Sequence, residues 1–286
     1  MEGRPTVSIL TANYNKSEYL REYFDSILKS NFSDFEVVFV DDGSTDDSIL
    51  IANSYTRKLN LRVISLGRNV GFSNALNIGL ERVRGEFVMR LDSDDFMLPS
   101  RIDLQVSYLR KHPEVDILGS NTFYYNHNRC SVVGRSYLPE FNADIANDFK
   151  HGDIALCHGA IMGRTAFYEK FNYIQNAFPF EEYDLFSRMV LTGGVFYNLN
   201  EPLTYYRMYN QNASYKRIRT RENGINLLRE KYFNQKLNEI GLTCKVLHRF
   251  FYRKAILSGM LVLRIVFLGM AVVCWPKSFF KRFYPN

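Results

Sequence analysis

Residues 86–95 read EFVMRLDSDD, a short apolar run that ends on three carboxylates within four positions. Glu86 to Leu91 has the length and composition of a buried strand, and Asp92-Ser93-Asp94-Asp95 stops it. Pro99 follows at the favoured first-turn position of a helix. Two carboxylates one residue apart at a strand end suit a hard divalent cation, Mg²⁺ or Mn²⁺. Such ions are often held by one or two carboxylates together with substrate phosphates. A solvated acidic turn before a helix would read the same way, so the surrounding pattern decides.

Upstream, the same unit recurs. Thr6 to Ala12 (TVSILTA) is a buried strand, and Ser17 opens a helix to about Lys29 with Tyr19, Leu20, Tyr23, Phe24, Ile27 and Leu28 on its apolar face. Glu36 to Val40 (EVVFV) is a second strand, stopping at Asp41-Asp42-Gly43, and a second helix opens at Ser44 to Asp47. Leu61 to Leu66 is a third strand, followed by a helix over Gly71 to Arg84. Strands alternating with helices over residues 6–111 predict a parallel sheet with right-handed crossovers. Ligands then bind beyond the carboxyl ends of the strands. Thr11 to Asn15, Asp41-Asp42 and Asp92 to Asp95 all fall at such ends, so one crevice is expected to gather them. Two acidic strand ends facing each other call for a cation or a hydrogen-bonding ligand. Asp41-Asp42-Gly43-Ser44 also reads as a turn with a helix cap, and both roles are compatible.

Beyond residue 115 the pattern is mixed, with strands expected at Val115–Gly119, Cys130–Val133, His158–Met162 and Val195–Tyr197. Helices are expected at Asn142–Lys150, Tyr183–Leu191 and Arg219–Ile240, the last ended by Gly241. With no repeat and no linker, residues 1–218 read as one catalytic domain, with halves 1–111 and 112–218, and residues 219–286 as a helical tail.

Composition narrows the class. Hydrophobic residues at 46% and charged residues at 23% are ordinary globular usage, which excludes disorder and low complexity. The four cysteines (130, 157, 244, 274) have neither disulfide-framework nor zinc spacing. Val7 to Leu10 is too short for a signal peptide, so a cytosolic compartment is expected. The net charge of +6 is a tail effect: residues 1–244 carry 28 of the 36 basic residues against all 30 acidic ones. A near-neutral body with a basic, apolar tail points to a membrane surface and away from nucleic acid.

Five stretches in order, VSILTANYN, VVFVDDGSTDDS, RNVGFSNALNIGL, GEFVMRLDSDDFMLPSRI and EEYDLFSRM, together resemble the family-2 inverting glycosyltransferases of the bacterial cell-surface polysaccharide type. The resemblance covers roughly residues 5–215. It implies an α/β fold, a single Rossmann-like A-type glycosyltransferase domain with a mostly parallel central sheet, here followed by a C-terminal helical segment. It also implies a nucleotide-sugar donor, UDP-linked, and a saccharide or lipid-linked saccharide acceptor. By position it implies that Thr11, Asn13 and Tyr14 line the base pocket, that Asp41 hydrogen-bonds the base with Asp42 nearby, and that Asp92 contacts the ribose or the metal site. Asp94 would ligate the metal, and Arg68, Asn69 and Gly71 would shape the side of the pocket.

The family places Glu then Asp before an apolar helix, and this chain has Glu181-Glu182-Tyr183-Asp184. Glu182 takes the position of the catalytic base one methylene longer than usual, with Glu181 and Asp184 as alternatives; all three also suit a helix N-terminus. His158 faces the acceptor or the cation, or makes a structural hydrogen bond. Tyr206-Arg207-Met208-Tyr209 stands where the family tends to have Tyr-Arg-x-His, so a C-terminal ligand is in doubt, while Arg207 is left to pair with phosphate or a carboxylate. The implied chemistry is a single displacement with inversion and one general base. A nucleotidyltransferase, and a nucleotide-sugar-binding subunit lacking a base, are the competing readings; the first lacks a Gly-rich basic loop after its first strand.

Ala255 to Trp275 holds one charge, Arg264, in 21 residues. As one helix it would be about 30 Å long, a bilayer's apolar thickness. The central arginine and two basic flanks favour a helix lying in or re-entering the membrane on its cytoplasmic face. Lys245, Arg249, Arg253 and Arg264 are expected on one side of it. A helical hairpin packed on the catalytic domain is the alternative.

Overall fold

The computed structural model describes residues 3–175, 179–209, 217–258 and 261–275. β1 (Val7–Asn13), β2 (Phe35–Asp41), β3 (Leu61–Ser65) and β4 (Phe87–Arg90) are mutually parallel in the order β3-β2-β1-β4. Val7, Ile9, Val37 and Phe39 face one side of this sheet, against Leu20, Phe24 and Ile27 of α1 (Ser17–Leu28), Ala52 of α2 (Ser48–Tyr55) and Ile102 of α4 (Arg101–Lys111). Leu10, Ala12, Val38 and Val40 face the other side, against Ala75 and Leu76 of α3 (Phe72–Leu80). Burial on both faces is why these strands read as unbroken apolar runs. Asn13 pairs with Asp41 and Leu10 with Arg90, so the strand ends and the residues after Arg90 emerge at one edge.

The second half completes a nine-stranded mixed sheet. β8 (Met162–Arg164) runs antiparallel between β4 and β6 (Ile117–Asn126). β9 (Phe196–Met208) is parallel to β6, while β5 (Phe96–Met97) pairs with the end of β9 and β7 (Ser131–Arg135) with β6. Two expectations fall short here. β6 and β9 are far longer than residues 115–119 and 195–197 suggest, because two register shifts, at Ser120/Asn121 and Asn121/Thr122, carry the pairing past Pro202. His158–Ala160 is a 3-10 turn instead of strand. Helices α5 (Asn142–Lys150), α6 (Thr165–Tyr168) and α7 (Glu181–Leu191) complete this half.

The tail departs most from its reading. The helix expected over Arg219–Ile240 is two: α8 (Ile218–Phe233) ends on Asn234 in the left-handed region (φ 53°), a common helix stop, and α9 (Glu239–Leu257) begins where the first was expected to end. Gly241 does not terminate a helix; its N–H donates to the capping Asn238 Oδ1 at 2.9 Å. The apolar stretch from Ala255 is not one helix either. α9 stops at Leu257 and α10 (Leu261–Cys274) folds back along it, with His248 Nδ1 2.8 Å from Ala271 O and the Phe251 and Phe267 rings stacked. Among the described residues no helix is long and apolar enough to cross a membrane. The basic residues do not form a membrane-facing stripe. Lys245 is buried, hydrogen-bonded to Gly152 O and 3.1 Å from Asp153; Arg249 meets Glu222, Arg253 donates to Tyr209 O and Arg264 to Val133 O. Lys245, Arg249 and Arg253 thus turn into the body, where each meets a carbonyl or carboxylate, and partners of that kind are the condition on which a charge can be buried. Lys277, Lys281 and Arg282 lie outside the described residues.

Candidate active site at the strand ends

The expected crevice is present and large, a cavity of about 1470 Å³ running from the ends of β1 and β2 to helices α8 and α9. Single small-ligand pockets are typically about 300–1,000 Å³, so this one has room for two substrates.

At one end lie Asn13, Tyr14, Asp42, Asn69 and Gly71. Asp42 accepts the Val70 and Gly71 N–H groups at 2.7 and 3.0 Å and thereby fixes the loop before α3; burial pushes its carboxyl above the usual range. Gly43 is needed beneath that loop, since it has φ 71° and a Cβ there would lie 2.4 Å from the Arg68 backbone. The two aspartates expected to share the base pocket are separated. Asp41 is fully buried and spent on Ser44 N, Ser44 Oγ and Asn13 Nδ2, so of the pair it is Asp42 that lines the cavity. Thr11 is also withdrawn, bonded to Tyr23 Oη and Leu91 O. Arg68 does not line the cavity, whereas Asn69 and Gly71 do.

Asp92 and Asp94 occupy the middle. Arg90, fully buried, holds Asp92 Oδ1 at 2.7 Å, yet burial raises the Asp92 carboxyl, and Asp94 and Glu182 add to the rise. Asp94 goes the other way. Burial opposes its ionisation, but Lys16 at 2.8 Å and the Tyr209 hydroxyl at 2.5 Å, both on Oδ2, hold it below the usual carboxylate range. A third carboxylate, Asp95, is buried and accepts Arg207 N. Among the described residues no group of three or more His, Cys, Asp or Glu forms a metal cage. The donor set fits a Mg²⁺ or Mn²⁺ all the same: Asp92 and Asp94 put hard oxygens two residues apart on one turn, both lining the cavity, which leaves the remaining positions to phosphate and water.

His158 lines the cavity, but its Nε2 lies 2.6 Å from Tyr173 Oη and 3.4 Å from Arg90 Nε. Burial, then the Arg90 charge, lower its pKa well below the usual value, so it is a neutral imidazole bracing Arg90 behind Asp92. Arg207 does not face the cavity. It is buried under the acidic turn, donating to Asp94 O and pairing with Glu22.

Of the three candidate bases, Glu181 and Glu182 line the cavity and Asp184 does not. Asp184 is turned out of the cavity, held by Arg188 at 2.8 Å and Tyr232 at 2.6 Å. Glu181 lines the cavity with a buried Oε2 lacking a hydrogen-bond partner among the described residues; burial, then Glu182, push its carboxyl well up. Glu182, 18% exposed, faces the cavity with Oε1 2.5 Å from Arg221. Arg221 is 3.6 Å from Glu222, and Glu222 is 2.5 Å from Arg249 on α9. A ladder of ion pairs thus ties the front of α7 to the tail. No sequence pattern marks Lys16, Arg90, Arg221 or Glu222 as site residues. The spacing of Lys245, His248, Arg249, Tyr252 and Arg253 was the one available hint, a polar helix stripe that turns out to line the cavity.

Comparison with known proteins bears on the family and the fold. A family model described as "Glycosyl transferase family 2" matches residues 8–171. An uncharacterized glycosyltransferase of Haemophilus influenzae is 30% identical over 87% of this chain and 79% of its own length. The amylovoran biosynthesis glycosyltransferase AmsE of Erwinia amylovora is 30% identical over 68% of this chain and 74% of its own. The crystal structure of S. aureus TarS 1–349 in complex with UDP-GlcNAc superposes with a TM-score of 0.61 at 19% identity, covering 98% of this chain and 93% of that one. That likeness carries the A-type glycosyltransferase fold, and the family match removes the nucleotidyltransferase alternative. By its strand-end motifs, its fold and its relatives, the chain belongs to glycosyl transferase family 2.

Proposed function

We propose that the chain transfers a sugar, with inversion, from a UDP-linked donor to a saccharide or lipid-linked saccharide acceptor in surface polysaccharide synthesis. The observation that carries this is one cavity lined together by Asn13, Tyr14 and Asp42, by the Asp92/Asp94 pair and by Glu182. The UDP-GlcNAc held by the TarS structure and the amylovoran role of AmsE support the donor and pathway class.

Tyr14, Asn13 and Asp42 receive the nucleoside, and Asp42 keeps its own loop in place while doing so. A divalent cation held by Asp92 and Asp94 would supply positive charge against the leaving diphosphate. Arg221 fixes Glu182 facing the acceptor side. The acceptor oxygen attacks the anomeric carbon, its proton passes to the Glu182 carboxylate, and the bond to the diphosphate oxygen breaks with its electron pair on that oxygen. Attack from the face opposite the leaving group inverts the centre without a covalent sugar–enzyme intermediate. Glu181, its carboxyl pushed up by burial, lies at the same wall with Oε2 open to a sugar hydroxyl.

Membrane association belongs to the same proposal, through α10 alone. Val262, Ile265, Val266, Met270 and Val273 follow helical spacing and are 44–83% exposed, an apolar face suited to lying in a lipid surface. Binding of a panel of nucleotide sugars with and without Mn²⁺ tests the donor claim. Metal-dependent binding of a UDP-sugar with slow release of UDP is expected; a panel with no binder refutes it.

A further inference from the structure

Lys16 sits at the N-terminus of α1, three residues after β1, and its ammonium is placed where the chemistry concentrates. It lies 2.8 Å from Asp94 Oδ2, is hydrogen-bonded to Tyr209 Oη and stands 4.9 Å from the centre of the Tyr209 ring. Its side chain is 26% exposed and lines the cavity. Three separate strand ends meet at this one charge: β1 through Lys16, β4 through Asp94 and β9 through Tyr209. Tyr209 is itself fixed from behind, its carbonyl accepting from Arg253. Without Lys16 the same space would hold Asp92, Asp94 and Asp95 with their cations, Arg90 and Arg207, committed behind them.

We propose that Lys16 is the built-in counter-cation of Asp94: it competes with a divalent cation for Oδ2, gives up that contact when the cation binds, and then serves the diphosphate. This rests on the metal-assisted reading above. Two positive charges cannot both sit at contact distance from one carboxylate oxygen in a partly buried site without strong repulsion. Lysine is suited to the exchange, being a point charge on a flexible four-carbon stem with three rotatable donors. Its backbone is two residues from Tyr14, on the nucleotide wall, so an ammonium that leaves Asp94 stays within the cavity near the phosphates. Tyr209 fits the same picture: it donates to Asp94 and accepts from the lysine.

The test uses the full chain and reads binding, not turnover. Free Mn²⁺ is followed by electron paramagnetic resonance, and UDP binding by calorimetry, in wild type and Lys16→Met. Without nucleotide, K16M is expected to bind Mn²⁺ about tenfold more tightly, about 1.4 kcal/mol. At saturating Mn²⁺ it is expected to bind UDP roughly five- to tenfold more weakly than wild type, the loss of one charge-assisted contact to phosphate. If K16M does not melt as cooperatively as wild type, K16Q carries the same comparison. Wild type that takes up Mn²⁺ with UDP, beside a variant whose Mn²⁺ affinity is unchanged or weaker, overturns the role of Lys16 alone. Wild type that takes up no Mn²⁺ even with UDP overturns this proposal and the metal reading together.

Discussion

Replacing Arg249 with methionine asks whether the C-terminal hairpin is part of the catalytic body. Arg249 Nε is 2.5 Å from Glu222 Oε1; the arginine side chain is 24% exposed and the glutamate 1%. After the substitution Glu222 keeps Arg221, at 3.6 Å and already shared with Glu182, and the charges of Lys245 and Arg229 nearby. The gross attraction lost is roughly 6–7 kcal/mol at 2.5 Å and an effective dielectric near 20. Water entering beside the partly exposed arginine position returns part of it, so a net loss of about 3–4 kcal/mol is expected, within the range for removing one partner of a buried pair. For a chain of this size that is a fall in Tm of roughly 6–10 °C. The assay is urea and thermal unfolding of Arg249→Met, Glu222→Gln and the double variant. Because Glu222→Gln removes the stranded charge, adding it to R249M should recover about 1–2 kcal/mol. If R249M stays within about 0.5 kcal/mol of wild type, or the two effects add within that margin, the ladder carries no energy and the hairpin's attachment is misjudged.

Three further outcomes follow from the same geometry. Glu182→Gln should lower turnover by ~10²–10⁴-fold with UDP binding little changed; near-normal turnover in E182Q, with a dead Glu181→Gln, would move the base by one residue. His158 has its pKa lowered by burial and Arg90, so the unfolded chain binds its proton first as pH falls, and wild type loses stability below about pH 6.5 at up to about 1.4 kcal/mol per unit. The stability gap between wild type and His158→Gln should therefore narrow by up to about 1.6 kcal/mol from pH 6.5 to 5, and parallel curves would show the imidazole is not held neutral. Val266→Asp, on the exposed face of α10, should leave the melting curve unchanged but reduce flotation with anionic liposomes; equal flotation, or none in either protein, would remove the membrane role of α10.

The parallel half of the fold and the location of the chemistry are legible in the chain before it folds. Apolar runs such as TVSILTA and EVVFV, each ending in polar residues, leave little choice but parallel strands buried on both faces, and Asp42, Asp92 and Asp94 then reach one cavity by register alone. These are local signals, set by period and by what stops a strand. The rest depends on contacts between distant segments. Asp41 and Asp42 are adjacent carboxylates in sequence, and the pleat plus the Gly43 turn sends one into a hydrogen-bonded pocket and the other to the cavity wall. β9 passes Pro202 because β6 shifts its register to meet it, and so delivers Tyr209 to Asp94. The basic stripe of residues 245–253 has the composition of a membrane-surface helix, yet Glu222, Asp153 and the carbonyls of Gly152 and Tyr209 turn it inward. A charged side chain announces its sign in the sequence; its partner, 27 positions away for Arg249 and Glu222 and 78 for Lys16 and Asp94, is chosen only when the chain has folded.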